Sequence, residues 1–297
     1  MDLQRKVARL MRVPVCLFLL VLFLLRPALG QAAEMSTTNA RADVAISLED
    51  AQTARRHKAL LANGVAAGGI LAWGLLNWDY FSRAPQTKNE GWFERSSIEG
   101  GADKLGHLWF SYTLSHAFAA WYRHIGYSEN EAAIFGPISS FGLTGLMEVG
   151  DSFSVDHGFS WEDMTANLAG ATVGWLLLRY PDWQRKVDLR WDYRPSLSEF
   201  EPDISTDYEH SRYLLALKAE GFEALRKPGL EYLELHLGYY ARGYADYRPS
   251  LPDARRRTLY VGVGLNVGKL LRPLWNTRLF DYLQVPYTDL PINLRLD

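Results

Sequence analysis

Four apolar segments in series, with ionisable residues at their ends, limit what this chain can fold into. They run from Ala59 to Leu76, Leu105 to Tyr122, Ala132 to Met147 and Met164 to Leu178. If they are antiparallel neighbouring helices, Asp103 and His107 begin the second, Glu148 ends the third, and Asp163 and Asn167 begin the fourth. All these groups then meet at one end of the bundle. Ionisable groups at the ends of such segments are costly to desolvate and need partners.

The first segment is the most apolar, with Asn63 its one strongly polar residue. Gly64 and Gly68 stand at the spacing that lets helices pack closely in lipid. At about 1.5 Å rise per residue the run barely crosses a hydrocarbon layer of about 30 Å. Trp73, Trp78 and Tyr80 fall where an interfacial aromatic belt would lie, so a membrane helix is expected here. The later segments are shorter and carry Ser, Thr, His and Asn. Gly136-Pro137 in the third predicts a kink or a late start, and Gly170 and Gly174 in the fourth are again small residues four apart.

Charge placement complicates a spanning bundle. Export would put the polar cluster at the cytoplasmic end, yet Arg55, Arg56, Lys58, Arg123, Arg179, Arg185 and Lys186 crowd the other side. That opposes the positive-inside rule, and a bundle that does not cross the bilayer fully resolves the conflict.

Export itself follows from the N-terminus. Arg5, Lys6, Arg9 and Arg12 precede an apolar run from Val13 to Leu25, followed by Ala28, Gly30, Ala32 and Ala33, the order of a secretory signal over residues 1–33. Cys16, the single cysteine, follows Val15 rather than a small residue, which makes it a poor lipid-attachment site, and no internal disulfide is available. Residues 34–58 form a polar lead-in and helix start, 59–180 the apolar helical bundle, and 181–297 a C-terminal periplasmic module. A formal net charge of −2 gives no basic field for nucleic acid.

In that module an amphipathic helix is expected from Tyr208 to Leu225. Leu233, Leu235, Leu237 and Tyr239, and then Val261, Val263, Leu265 and Val267, alternate with their neighbours at period two, which predicts one β-hairpin. Its Gly-bearing face would allow close approach to helix, lipid or a partner sheet. Too few alternations occur for a transmembrane barrel, and Leu270 to Leu283 reads as a last interfacial helix. The expected class is mainly α: a small membrane-associated helical bundle of about four apolar helices with a C-terminal β-hairpin and amphipathic helix.

The polar residues offer a site. Asp103 and His107 share a helix face, as do Glu148 and Asp151. His107, Glu148, Asp151 and Lys104 are the candidates for acid–base or oxyanion chemistry. Asp103, Ser160, Asp163 and Asn167 are the candidates for binding, with Ser160 and Asp163 also a good helix-capping pair. One histidine with carboxylates has no specific metal-ligand spacing, so no metal is assigned and cofactors stay open. No G-x-S-x-G elbow, phosphate loop or H-E-x-x-H is present.

The pieces Asp103-Lys104-x-x-His107, Glu148-x-x-Asp151 and Ser160-x-x-Asp163-x-x-x-Asn167-x-x-Gly170 resemble the YfiM-like family of uncharacterised bacterial proteins, predicted to be envelope lipoproteins. They are more distantly similar to VanZ-like membrane proteins, one of which is associated with teicoplanin resistance. The closing Leu259-Tyr260-Val261-Gly262-Val263-Gly264-Leu265-Asn266 also resembles a family tail, while the lipid-attachment motif is missing. The resemblance implies location more than mechanism. The resulting expectation is a cell-envelope, membrane-associated protein whose Asp/His/Glu/Asn cluster recognises a lipid or glycolipid head group. The alternatives are a hydrolase or transferase acting on a lipid-linked substrate, or a structural scaffold. Expected partners are membrane lipid or lipid-linked glycan and an envelope protein, not nucleic acid.

Overall fold

The computed structural model describes residues 40–195, 204–245, 247–250, 252–275 and 277–297, with the side chains of the first helix described from Glu49 onward. The signal-peptide reading and Cys16 lie outside the described residues. Four helices come first: α1 (Ala40–Asn77), α2 (Ala102–His124), α3 (Glu129–Asp151) and α4 (Trp161–Arg179). A short α5 (Pro181–Gln184) leads into β1 (Val187–Tyr193), β2 (Ser211–Lys218), β3 (Leu233–Arg242) and β4 (Arg256–Leu265). Then α6 (Val267–Leu271) and a 3-10 turn at Leu279–Asp281 precede β5 (Asp289–Arg295).

Helix α2 is the centre of the bundle and packs on α3 and α4, which also pack on each other. Small residues set the spacing. A Cβ at Gly170 would lie 2.1 Å from the Leu108 carbonyl oxygen, and one at Gly136 would lie 2.5 Å from that of Ser115. Ser140 Oγ donates to the Ser111 carbonyl at 2.7 Å, fixing α3 to α2. Helix α3 starts at Glu129 with a complete capping box on Ser128. Pro137 therefore lies inside the helix rather than delaying its start.

Helix α1 lies outside these three. Ala59, Ala66, Ala67 and Ile70 pack on the Phe118, Tyr122 and Leu143 core, and Asn63 Nδ2 donates to the Tyr122 hydroxyl at 2.8 Å. Among the described residues, Gly64 and Gly68 have no atom within 4 Å of an added Cβ, so no described helix packs closely at that pair. Leu60, Leu61, Val65, Leu75 and Leu76 are exposed. Among the described residues, two stretches, Glu49–Asn77 and Glu129–Asp151, are long and apolar enough to cross a membrane by length and composition.

The C-terminal half corrects the expected class. It holds a five-stranded antiparallel sheet in the order β1-β2-β3-β4-β5, so the chain is a mixed helix-and-sheet protein and not mainly a helical bundle. The hairpin is real and forms β3 and β4. The expected amphipathic helix from Tyr208 to Leu225 is instead β2 followed by 3-10 turns at Ala219–Gly221 and Glu223–Leu225. The expected interfacial helix from Leu270 to Leu283 shrinks to the end of α6 and the turn at Leu279–Asp281. Strand β1, which was not expected, has a reversed polarity. In Val187-Asp-Leu-Arg-Trp-Asp-Tyr193 apolar and charged residues alternate strictly, but all three charged residues are buried, and of the apolar ones only Trp191 is.

Register makes this plain. Asp188, Arg190 and Asp192 stand opposite Ala216, Leu214 and Arg212, and Ala216 and Lys218 stand opposite His236 and Glu234. This face is buried and internally paired. Arg190 Nη1 and Nη2 donate to Glu234 at 2.7 and 2.8 Å, Nη2 also to Asp188 at 2.8 Å, and Lys218 Nζ donates to Asp188 at 2.8 Å. The glycine face of β4 receives rings: an added Cβ on Gly264 would sit 2.2 Å from His236. Tyr282 and Gln284 hydrogen-bond to Trp191 of β1, and Thr288, just beyond them, accepts from Leu265 of β4. The same segment thus shuts one end of the polar face.

On the opposite face of β3, β4 and β5, Leu235, Leu237, Leu259, Val261, Val263, Leu265, Leu290, Ile292 and Leu294 are between 40% and 82% exposed. Among the described residues, α2 covers the β1–β2 side and the far end of this apolar face, with Phe93 against Tyr239 and α4 against Leu189. Trp109 packs on Trp191 at 5.1 Å between ring centroids and on Tyr213, and its indole N–H donates to the Tyr282 carbonyl at 2.9 Å.

Candidate functional site

The antiparallel arrangement of α2, α3 and α4 places the start of α2, the end of α3 and the start of α4 together. Gly100 and Gly101, with φ of 60° and 82°, turn the chain into α2; this left-handed backbone region is open to glycine at little cost. Ser160 caps α4 by accepting from the Asp163 backbone N–H at 3.1 Å, the role read from the sequence.

Lys104 is buried, and its ammonium lies 2.7 Å from each of Glu90, Asp103 and Asp163. Burial opposes its charge, but these three carboxylates hold its pKa above the usual lysine value. Burial pushes Asp103 up to about 6 against the pull of Lys104. At Glu90 burial also raises the pKa, yet Lys104 outweighs it and brings the group down to about 2.

One turn along α2 from Asp103, the His107 imidazole lies between two carboxylates. Nδ1 is 3.4 Å from Glu148 Oε1 and Nε2 is 3.7 Å from Asp163 Oδ1. Burial lowers the His107 pKa, but Asp163 and Glu148 win and raise it. Glu148 is 1% exposed; burial first, and then Asp163 and Asp151, push it to about 8 despite His107. The backbone N–H of Ser160 approaches its other oxygen at 3.5 Å. Burial also raises Asp151.

Seven of the eight sequence candidates therefore converge directly: Lys104, Asp103 and Asp163 in one knot, His107 and Glu148 beside it, Ser160 as cap and Asp151 on the same rim. Asn167 is fully buried one turn into α4, and neither of its amide atoms has a hydrogen-bond partner. Sequence reasoning missed Glu90 and Glu99, which come from the polar loop before α2. Glu99 is pushed up to about 7 by burial and then by Asp103 and Glu209. Nothing in Asn89-Glu90-Gly91 marks Glu90 as a buried partner.

A cavity of about 360 Å³ opens onto this rim. Its polar side carries Glu90, Glu99, Asp103, His107, Asp151 and Asp163, and its apolar side Ile70, Trp73, Trp78, Trp109, Phe110 and Trp191. The sheet contributes Trp191 and Tyr213, and the segment before β2 contributes Ile204 and Tyr208, none of which the motif reading included.

Residues 89–179 match the family model described as predicted periplasmic lipoprotein (DUF2279). The matched stretch holds every carboxylate of the cluster, Lys104 and His107. No curated protein and no solved structure matches the chain. With the match, export to the bacterial cell envelope and a periplasmic location stand as found. The likeness is to an envelope family at that coarse level; it names no activity.

Proposed function

We propose that this envelope protein is membrane-associated and binds one lipid through a head group that offers hydrogen-bond donors, hydroxyls of a sugar or an ammonium. The observation that carries the reading is the two-sided cavity: carboxylates on one rim and a tryptophan- and phenylalanine-lined wall on the other. Ionised carboxylates accept hydrogen bonds without donating, so those that stay charged, Glu90 foremost, suit donors and repel a bare phosphate. The apolar wall suits an acyl or prenyl chain, because pockets of this kind bury most of a ligand against aromatic side chains. The finer likeness to YfiM-like and VanZ-like proteins belongs to this reading.

The exposed leucine and valine face of β3–β5 is where the protein seats on the bilayer. Contiguous apolar patches of this kind mark interaction sites in soluble proteins, and here the polar residues of the same strands are turned inward. The outer face of α1 is a second exposed apolar surface.

Fluorescence quenching tests the lipid reading. Lipids brominated on the acyl chain, with ethanolamine or sugar head groups, should quench the cavity tryptophans of the full chain, and Glu99→Gln with Asp103→Asn should weaken the effect several-fold. Equal quenching by a brominated phosphatidic acid would sink the head-group assignment.

A second reading is favoured by one observation, the imidazole held between Glu148 and Asp163. A histidine so placed is suited to pass a proton, which fits a hydrolase or transferase of lipid-linked substrates. Turnover of such a substrate that His107→Gln abolishes, with lipid binding intact, would select it.

A further inference from the structure

We infer that His107, Glu148 and Asp163 hold a divalent transition-metal cation, Zn²⁺ by the chemistry of its donors. The inference goes beyond the head-group reading and does not rest on it. One ligand atom from each of the three residues lies within 4.8 Å of the other two. His107 Nδ1 and Glu148 Oε1 are 3.4 Å apart and are both buried without a hydrogen-bond partner. Two ligands bound about 2.0–2.1 Å from one tetrahedral zinc stand about 3.3 Å apart. The pair is thus too long for a good hydrogen bond and well spaced for a shared cation.

A second triad, Glu90, Asp103 and Asp163, has similar spacing, but the Lys104 ammonium already sits 2.7 Å from all three. The protein's own cation fills that position, which leaves the His107 side as the open one. Charge supports the same conclusion. Among the described residues, Lys88 lies 3.5 Å from Glu90 and His157 acts on Asp151, while Glu148 faces His107 as its nearest cationic partner, and buried charges need partners or a metal. Asn167, one turn along α4 from Asp163, is fully buried with neither amide atom hydrogen-bonded. One imidazole nitrogen among carboxylates favours zinc over magnesium or calcium, which prefer oxygen alone.

The test is calorimetric titration of the full chain, stripped with a chelator, with Zn²⁺ and in parallel with Mg²⁺ and Ca²⁺. One Zn²⁺ per chain is expected, with affinity falling at least ~10-fold in His107→Gln and in Glu148→Gln. His210→Gln, which breaks the 2.9 Å imidazole contact to Asp207 elsewhere, should bind as the wild type does. Substoichiometric binding, binding that ignores His107 and Glu148, or preference for Mg²⁺ or Ca²⁺ would overturn the inference. Should either variant fail to fold by circular dichroism, pulsed electron paramagnetic resonance of the wild-type Mn²⁺ form decides. Coupling to one imidazole nitrogen supports the site, and its absence removes it. Because metal content is read directly and Glu148 does not line the lipid cavity, failure here leaves the lipid reading standing, and the reverse holds too.

Discussion

The Lys104 ammonium lies 2.7 Å from Asp163 Oδ1, although 59 positions separate the two residues in the chain. That ion pair joins the first turn of α2 to the first turn of α4, and Glu90 and Asp103 complete it. Removing one partner of a buried ion cluster leaves uncompensated charge, typically at a cost of about 3–5 kcal/mol. Lys104→Met should therefore lower the urea midpoint strongly, and adding Asp163→Asn should restore part of the loss.

The polar interior of the sheet should govern acid stability. Burial alone would raise the pKa of Glu234, yet the bonds from His236 and Arg190 bring it down to about 2. Since this folded value lies below the unfolded one, the contribution is complete above about pH 4.5 and fades as pH falls toward 2. Urea titrations from pH 2.5 to 6 should show that rise in the wild type. In Glu234→Gln the slope should flatten and the protein should be less stable at pH 6, because Arg190 loses its bidentate partner.

Glycines in the bundle should divide sharply. Gly170→Ala pushes a methyl into the Leu108 carbonyl, while Gly142 has nothing within 4 Å of an added Cβ. Thermal melts should show Gly170→Ala destabilised by about 2 kcal/mol or more, in the manner of an overpacked core. Gly142→Ala should be neutral or stabilised by up to about 1 kcal/mol from helix propensity.

The outer sheet face should matter for membranes and little for folding. Val261 and Val263 are about half exposed, so Val261→Asn with Val263→Asn should change stability by about 1 kcal/mol or less. Flotation with vesicles of envelope lipids should fall several-fold in that double variant. Unchanged flotation would move the bilayer contact away from β4, leaving α1 as its place.

Much of the site was legible because helix periodicity and antiparallel connection together bring Asp103, His107, Glu148 and Asp163 to one end, as the structure has them. Glu90 was not legible, since a loop carries no periodicity to say which residues turn inward. The sheet was half legible. Alternation marks β3 and β4, and it is also present in β1 and in Asp289-Leu-Pro-Ile-Asn-Leu-Arg295, where Pro291 and buried charges argue against a strand. In β2, the run of Leu and Ala between Arg212 and Lys218 suits a helix by propensity; pairing on both sides with β1 and β3 overrides it.

On the proposed function, the cavity behind Asp103 and His107 holds a lipid by its head group. Native mass spectrometry of the full chain, extracted from membranes in mild detergent and then stripped of it, reads this most directly. One bound lipid per chain is expected, with fragmentation revealing an amine- or sugar-bearing head group, and it should be lost when Phe110→Asp puts a charge on the apolar wall. A bare chain mass, or retention of the lipid by Phe110→Asp, would contradict the account.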